Sequence, residues 1–257
     1  ININVENIDE FKIELVSELL NKGEVTIKIN GKPYGYYFDG TKKEVYFHKE
    51  FSGFVPGRKR IYGLKKSKEC FGPIKQGYFA PFILVYGTKG DCDYNLQLAR
   101  LESYAWWYRG NGFVRVIPDT EVTKAIIEKY NLILFGRYGT NHLIDKIIRW
   151  TPIKFDSTGV WVGKKFIKGA LGVEFIYPNP LNCKKFVVIY SSTKDKRLVQ
   201  GFSTLYSGAG LPDFIIYDKS IRELGWAGVK CAGFFDNRWR VKSVSYTHLT
   251  LPTKAQV

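Results

Sequence analysis

The residues able to do chemistry in this chain are few and dispersed. Histidine occurs at three positions only, 48, 142 and 248. A serine hydrolase needs its nucleophile on a sharp turn, usually in a GxSxG frame, with a histidine and an acid in reach. Gly201-Phe202-Ser203-Thr204-Leu205 lacks the second glycine of that frame, and Ser191-Ser192 follow an apolar run without flanking glycines. His142 follows Asn141, a helix-capping residue type, and Asp145 three positions on is its expected partner on the same helix face. No Ser-His-acid triad is expected from these spacings, so no catalytic residue is assigned. Asp91, Asp93, Asp119 and Glu121 lie near strand ends, where paired carboxylates could serve glycoside hydrolysis; caps and first helical turns account for all four. The four cysteines, at 70, 92, 183 and 231, form no CxxC pair, which argues against zinc. They read as buried free thiols and leave the compartment open. Neither a metal nor a cofactor is expected.

Two loops carry the strongest binding signal. Gly87-Thr88-Lys89-Gly90-Asp91 and Gly136-Arg137-Tyr138-Gly139-Thr140-Asn141 each combine glycines, a hydroxyl and a cation ahead of a helical pattern. Such loops beyond the carboxyl ends of strands favour anions. Thr88, Asp91, Arg137, Thr140 and Asn141 are therefore the candidate ligand-binding residues. Neither loop matches GxGxxG or GxxxxGK[ST], and as capped turns they need no ligand. Trp106-Trp107-Tyr108 resembles a carbohydrate platform only superficially, because adjacent helical positions point in different directions.

The elements that must position these loops fall into two patterns. Over residues 1–62, Phe11 to Leu15 and Val25 to Ile29 alternate apolar with polar, Asn30-Gly31 and Asp39-Gly40 are turns, and Glu44 to His48 is a further strand. This reads as a small antiparallel β appendage. Residues 63–80, rich in Gly and Pro with cations between them, read as a linker over a surface. From 81 to 243 the pattern changes. Phe82 to Tyr86, Leu132 to Phe135 and Phe186 to Tyr190 are apolar runs of the kind buried in a sheet, and Val114 to Ile117, Phe214 to Tyr217 and Val229 to Phe234 read as further strands. Helical stretches are expected over 94–109, 121–130, the segment after Asn141, and near 198–206. Val160 to Val162 and Val173 to Tyr177 read as a hairpin or insertion. The expected fold class is α/β, a parallel three-layer sheet of flavodoxin or Rossmann type preceded by the β appendage.

The chain has 257 residues, 45% of them hydrophobic, enough to bury a large core. It contains no uninterrupted apolar run of about 18 residues, so no membrane-spanning helix is expected. Its formal charge is +15, which favours acidic partners. The cations are scattered, with short clusters at Lys164-Lys165, Lys184-Lys185 and 194–197 and no basic helical stripe, so nucleic acid is not an expected partner. The chain begins with Ile1 and contains no methionine, which reads as a piece of a longer protein. Val244 to Thr253, VSYTHLTLPT, is similar to a translated sequencing-library adaptor, so 244–257 is expected to be a non-native tail in which His248 carries no functional weight.

Several segments together resemble a known family. These are Gly72-Pro73-Ile74 followed by Pro81-Phe82, Pro118 to Thr123, Tyr130 to Gly136, Asn141, Ile176-Tyr177-Pro178-Asn179-Pro180-Leu181-Asn182, and Leu211-Pro212-Asp213-Phe214. Their order and spacing resemble the C-terminal region of large bacterial prolyl-oligopeptidase-like serine peptidases and esterases, over about residues 1–236. In that family the α/β-hydrolase domain, with its GxSxG serine, acid and histidine, precedes this region. The resemblance implies a non-catalytic accessory module whose partner is the upstream hydrolase domain of the same chain, and it places no family catalytic residue on this sequence. The family often has an acid where this chain has Arg137, which weakens the case for a shared ligand at that loop. The other reading is a flavodoxin-like binding domain for an anionic small ligand.

Overall fold

The computed structural model describes residues 1–57, 63–200 and 211–241. Ser203 in its Gly201–Leu205 frame, the tail 244–257 with His248, and most of the helix expected over 198–206 lie outside those residues. The chain divides into two units, Ile1–Tyr62 and Gly63–Val257.

The first unit is built from β1 (Asn2–Ile3), β2 (Glu10–Leu15), β3 (Gly23–Ile29), β4 (Lys32–Phe38), β5 (Lys43–Glu50) and β6 (Gly53–Pro56). They form two three-stranded sheets, ordered β1-β3-β4 and β2-β5-β6. Strand β3 shows why: Val25, Ile27 and Ile29 are buried while Glu24, Thr26 and Lys28 between them are exposed. That period of two gives one apolar face to bury. Asn30 and Gly31, both at positive φ (46° and 86°), close the β3–β4 hairpin, the backbone a two-residue turn requires. The core of this unit is Leu15, Val25, Ile27, Ile29, Phe38, Val45, Phe47 and Phe54. Phe47 stacks with Phe11 at 5.5 Å between centroids and meets Tyr34 edge-on at 5.1 Å.

The second unit contains β7 (Phe82–Tyr86), α1 (Cys92–Gly110), β8 (Val116–Pro118), α2 (Lys124–Lys129), β9 (Asn131–Phe135), α3 (His142–Ile147), β10 (Ile153–Phe155), β11 (Gly159–Val162), β12 (Lys165–Lys168), β13 (Gly172–Asn179), β14 (Asn182–Ser192), β15 (Phe214–Tyr217), α4 (Ile221–Leu224) and β16 (Val229–Gly233). Its main sheet has seven strands in the order β16-β15-β13-β14-β9-β7-β8. β9 sits between β7 and β14, and Leu132, Ile133, Leu134 and Phe135 are each at most 1% exposed.

This architecture overturns the expected parallel three-layer α/β fold. Only the β8-β7-β9-β14 stretch of the sheet is parallel; β14 meets β13 antiparallel, and β15 and β16 join antiparallel in turn. Strand exceeds helix, 39% against 23%, and α2, α3 and α4 have six, six and four residues. The physical reason is a turn. Asn179 to Asn182 reverses the chain at once, with Asn179 Oδ1 accepting from Leu181 N at 2.9 Å, so Val173 to Tyr177, expected in a separate hairpin or insertion, enters the main sheet antiparallel to β14. β13 is buried along its whole length, and a strand covered on both faces carries no sign of its direction in its composition.

Two further expectations change. Within residues 63–80, the stretch 72–78 packs into the second unit rather than lying on a surface: Ile74 is fully buried in its core, and Ile74 N donates to Pro212 O at 3.1 Å. Gln76 holds the segment in place, accepting from Phe71 N and Gly72 N and donating to Glu69 O. Val160 and Val173 are not hairpin partners either. Val160 pairs with Phe155 and Ile167 in a separate three-stranded sheet, while β13 lies inside the main one.

Because β9 is enclosed on both faces and both edges, truncating it leaves a cavity that its neighbours cannot fill. Leu134→Ala is expected to lower unfolding stability by about 2–5 kcal/mol, measured by urea denaturation against the parent chain. A loss under about 1 kcal/mol would contradict the central placement of this strand.

Candidate functional site

Strands β7, β8, β9 and β14 run parallel, so the loops that leave their carboxyl ends emerge together. The connection from β7 goes to β8 on one side of it, and β8 then returns to β9 on the other. The loops at 87–91 and 136–141 flank that reversal, the position at which open sheets tend to bind ligands. They touch directly: Lys89 N donates to Thr140 O at 3.2 Å, and Gly87 N donates to Phe135 O at 2.9 Å. A Cβ at Gly87 would lie 2.2 Å from Thr140 O, so glycine is what permits this closeness.

All five candidate residues meet here. Thr88 Oγ1 donates to Asp119 Oδ1 at 2.7 Å. Asp91, at the start of α1 with φ 52°, makes no capping hydrogen bond and takes Arg137 Nε instead. Thr140 Oγ1 donates to Arg137 O at 3.0 Å. Asn141, fully buried, accepts from Leu143 N and Ile144 N at 2.9 and 3.1 Å and donates to Phe135 O at 3.0 Å. Its side chain thus caps α3 and ties the cap to β9.

The charges of this cluster neutralise one another. Arg137 is paired with Asp91, and Lys89 Nζ lies 3.0 Å from Asp145 Oδ2. Asp119, its side chain fully buried, accepts His142 N at 2.6 Å and lies 3.0 Å from His142 Nδ1. Asp145 was the expected partner of His142, but the structure assigns it to Lys89 and Gly139 N. An anion entering here would compete with three carboxylates for the cations, so the geometry offers anions no advantage.

Asn95, unforeseen from sequence, lies beneath both loops. It is fully buried, donates to Gly87 O and Gly90 O at 3.0 and 3.1 Å, and its Oδ1 has no hydrogen-bond partner. The available signal was its spacing: 95, 99, 102 and 106 form one helical stripe, and the first three are buried.

The candidate hydroxyl nucleophiles among the described residues are committed to structural hydrogen bonds. Ser191 Oγ donates to Gly136 O and Ser192 Oγ to Asp195 O, both at 2.7 Å, and both residues are fully buried. The Asp119–His142 pair is half of a charge-relay arrangement, but the nearby Thr88 hydroxyl bonds the acid, not the imidazole. The cysteines at 70, 92, 183 and 231 are free thiols, and no group of three or more His, Cys, Asp or Glu among the described residues could hold a metal.

A second cluster of titratable groups lies inside the core. Glu102 on α1 and Glu174 on β13 are 8% and 2% exposed. Burial raises their pKa values to about 7 and about 8. The Tyr217 hydroxyl lies 2.9 Å from Glu174 Oε1 and 2.8 Å from Leu198 O. Leu198 O can only accept, so the phenol proton goes there, and a protonated Glu174 donates to the phenol oxygen. Tyr78 and Tyr190, hydroxyls 2.9 Å apart, extend the network, with Tyr78 3.5 Å from Glu102 Oε1.

No protein-family model matches this chain, and no curated protein matches it.

Two outcomes follow from these arrangements. Both buried carboxyls keep their protons in the folded chain while the unfolded chain releases them above about pH 4.5, so they contribute stability that is present at low pH and lost as pH rises towards 8. The Tm is expected to fall between about pH 4.5 and pH 8, and Glu174→Gln to flatten that fall; a pH dependence unchanged in the variant would refute the assignment. Asn141→Ala is expected to cost about 1–2 kcal/mol through loss of the cap; unchanged thermal stability would show that the residue is not a structural cap.

Proposed function

We propose that this chain is the non-catalytic accessory module of a prolyl-oligopeptidase-like serine hydrolase, in which an upstream α/β-hydrolase domain cleaves peptide or ester bonds through an acyl-enzyme. The observation that carries this reading is the use made of the polar residues in the segments of resemblance. Gly72-Pro73-Ile74 meets Leu211-Pro212-Asp213: Ile74 N bonds Pro212 O, and a Cβ at Gly72 would fall 2.0 Å from Asp213 Oδ1. Asn131 donates to Gly77 O and accepts from Phe186 N, both at 2.9 Å, linking the 3-10 turn at Ile74–Tyr78, β9 and β14. Asn182 donates to Ile127 O at 3.0 Å, and Asp119 and Asn141 join the loops beside β7 and β9. These side chains bond the chain's own backbone. A module whose distinctive polar groups serve its own architecture suits a role in covering the hydrolase domain or shaping access to it.

The test is active-site labelling with a fluorophosphonate probe, alongside esterase turnover on the same sample. The chain alone is expected to remain unlabelled, and the longer polypeptide from the same locus to be labelled on a serine upstream of Ile1. Labelling of the chain alone that is abolished by heat denaturation and traced to Ser191, Ser192 or Ser203 would overturn the proposal.

A further inference from the structure

The three-stranded sheet β10-β11-β12 buries one face and leaves the other open. Its register places Lys154, Trp161 and Phe166 in one cross-strand row, with Lys168 opposite Gly159 in the next row on the same face. Rows between them point the other way: Phe155 and Val160 are 3% and 0% exposed within the main core, and Ile167 packs against it. Phe166 is 40% exposed and Trp161 partly so, and neither belongs to the core cluster.

The two rings lie against each other, centroids 4.4 Å apart and planes at 40°. Gly159 makes room for them, since a Cβ there would fall 2.7 Å from Phe166 Cζ. Around the rings stand three exposed lysines, Lys154, Lys168, and Lys164 in the turn between β11 and β12. None of these three has a carboxylate partner among the described residues. The nearest acid along β10, Asp156, is engaged by Thr158 N and Oγ1 and by Gly159 N. Solvent-exposed aromatic rings on an open sheet face, with cations beside them that have no carboxylate partner among the described residues, are the physical ingredients of single-strand recognition. Every base has a π-face to stack, and every linkage has a phosphate to pair. The net charge of +15 adds long-range attraction.

We propose that this face binds single-stranded nucleic acid, with Trp161 and Phe166 stacking on bases and Lys154, Lys164 and Lys168 pairing with phosphates. A surface of this size spans about two or three nucleotides. Recognition is through backbone and stacking, so it is tolerant of sequence.

The test is fluorescence anisotropy of the full chain with an end-labelled oligothymidine, across a salt series. Saturable binding is expected at low salt, with log K falling against log salt at a slope near −2, the value for about three phosphate contacts on a single strand. Trp161→Ala and Phe166→Ala are each expected to weaken binding roughly tenfold with the slope retained. The triple variant Lys154→Ala, Lys164→Ala, Lys168→Ala is expected to flatten the slope. All variants should keep the parental Tm, because these side chains lie off the core. Absence of binding at low salt would overturn the proposal. So would ring variants that bind as tightly as the parent, which would assign the affinity to net charge alone. Ring-dependent binding to phosphatidylserine vesicles without binding to the oligonucleotide would assign the face to a lipid surface and overturn it equally.

Discussion

The second unit depends on the complete enclosure of one strand. β9 has neighbours on both edges, β7 and β14, and no exposed residue. A buried backbone must have its amides and carbonyls paired, and ladders on both sides do this in one step. Each fully buried aliphatic side chain contributes about 1.5–3 kcal/mol relative to exposure, so Leu132 to Phe135 anchor the sheet on both faces. Asn131 and Asn141 are the polar counterparts of this enclosure. One binds the start of β9 to the turn at Ile74–Tyr78 and to β14, and the other binds the end of β9 to the cap of α3.

The loops beyond β7 and β9 inherit their geometry from that arrangement. Adjacent parallel strands place their outgoing loops side by side, and their polar side chains pair across the short gap between the loops. The result is a set of closed pairs: Asp91 with Arg137, Asp145 with Lys89, and Asp119 with Thr88 and His142. What resembles a ligand site in the order of residues is, in three dimensions, a clasp between two loops. The same economy of partners is missing at the β10–β12 sheet, where three lysines face solvent around two rings.

Buried ionisable groups mark the opposite extreme. Glu102 and Glu174 are enclosed without a cation beside them, and desolvation raises both pKa values, favouring their neutral forms. At Glu174 the Tyr217 hydroxyl is directed to Leu198 O, so that contact is satisfied only while the carboxyl holds its proton. Such a core is held together by hydrogen bonds that depend on proton occupancy.

The local elements were legible in the sequence. Runs such as Phe82 to Tyr86 and Leu132 to Phe135, the alternation in Val25 to Ile29, and the turn at Asn30-Gly31 are set by side-chain size, polarity and backbone freedom within a few residues. The loops that converge could also be named, because glycines and capping residues are local signals. The direction of strand pairing could not be read. A strand apolar on both faces is equally suited to parallel and antiparallel neighbours, and the reversal at 179–182 brought the segment expected as a separate hairpin or insertion into the main sheet. Partner choice was likewise hidden, as Asp119 rather than Asp145 binds His142 across 23 positions. Lysines that are scattered along the chain become a framed surface only when β10, β11 and β12 fall into register. Periodicity is a property of neighbours in sequence, whereas pairing, charge neutralisation and exposure are properties of neighbours in space, and only the folded chain decides which residues those are.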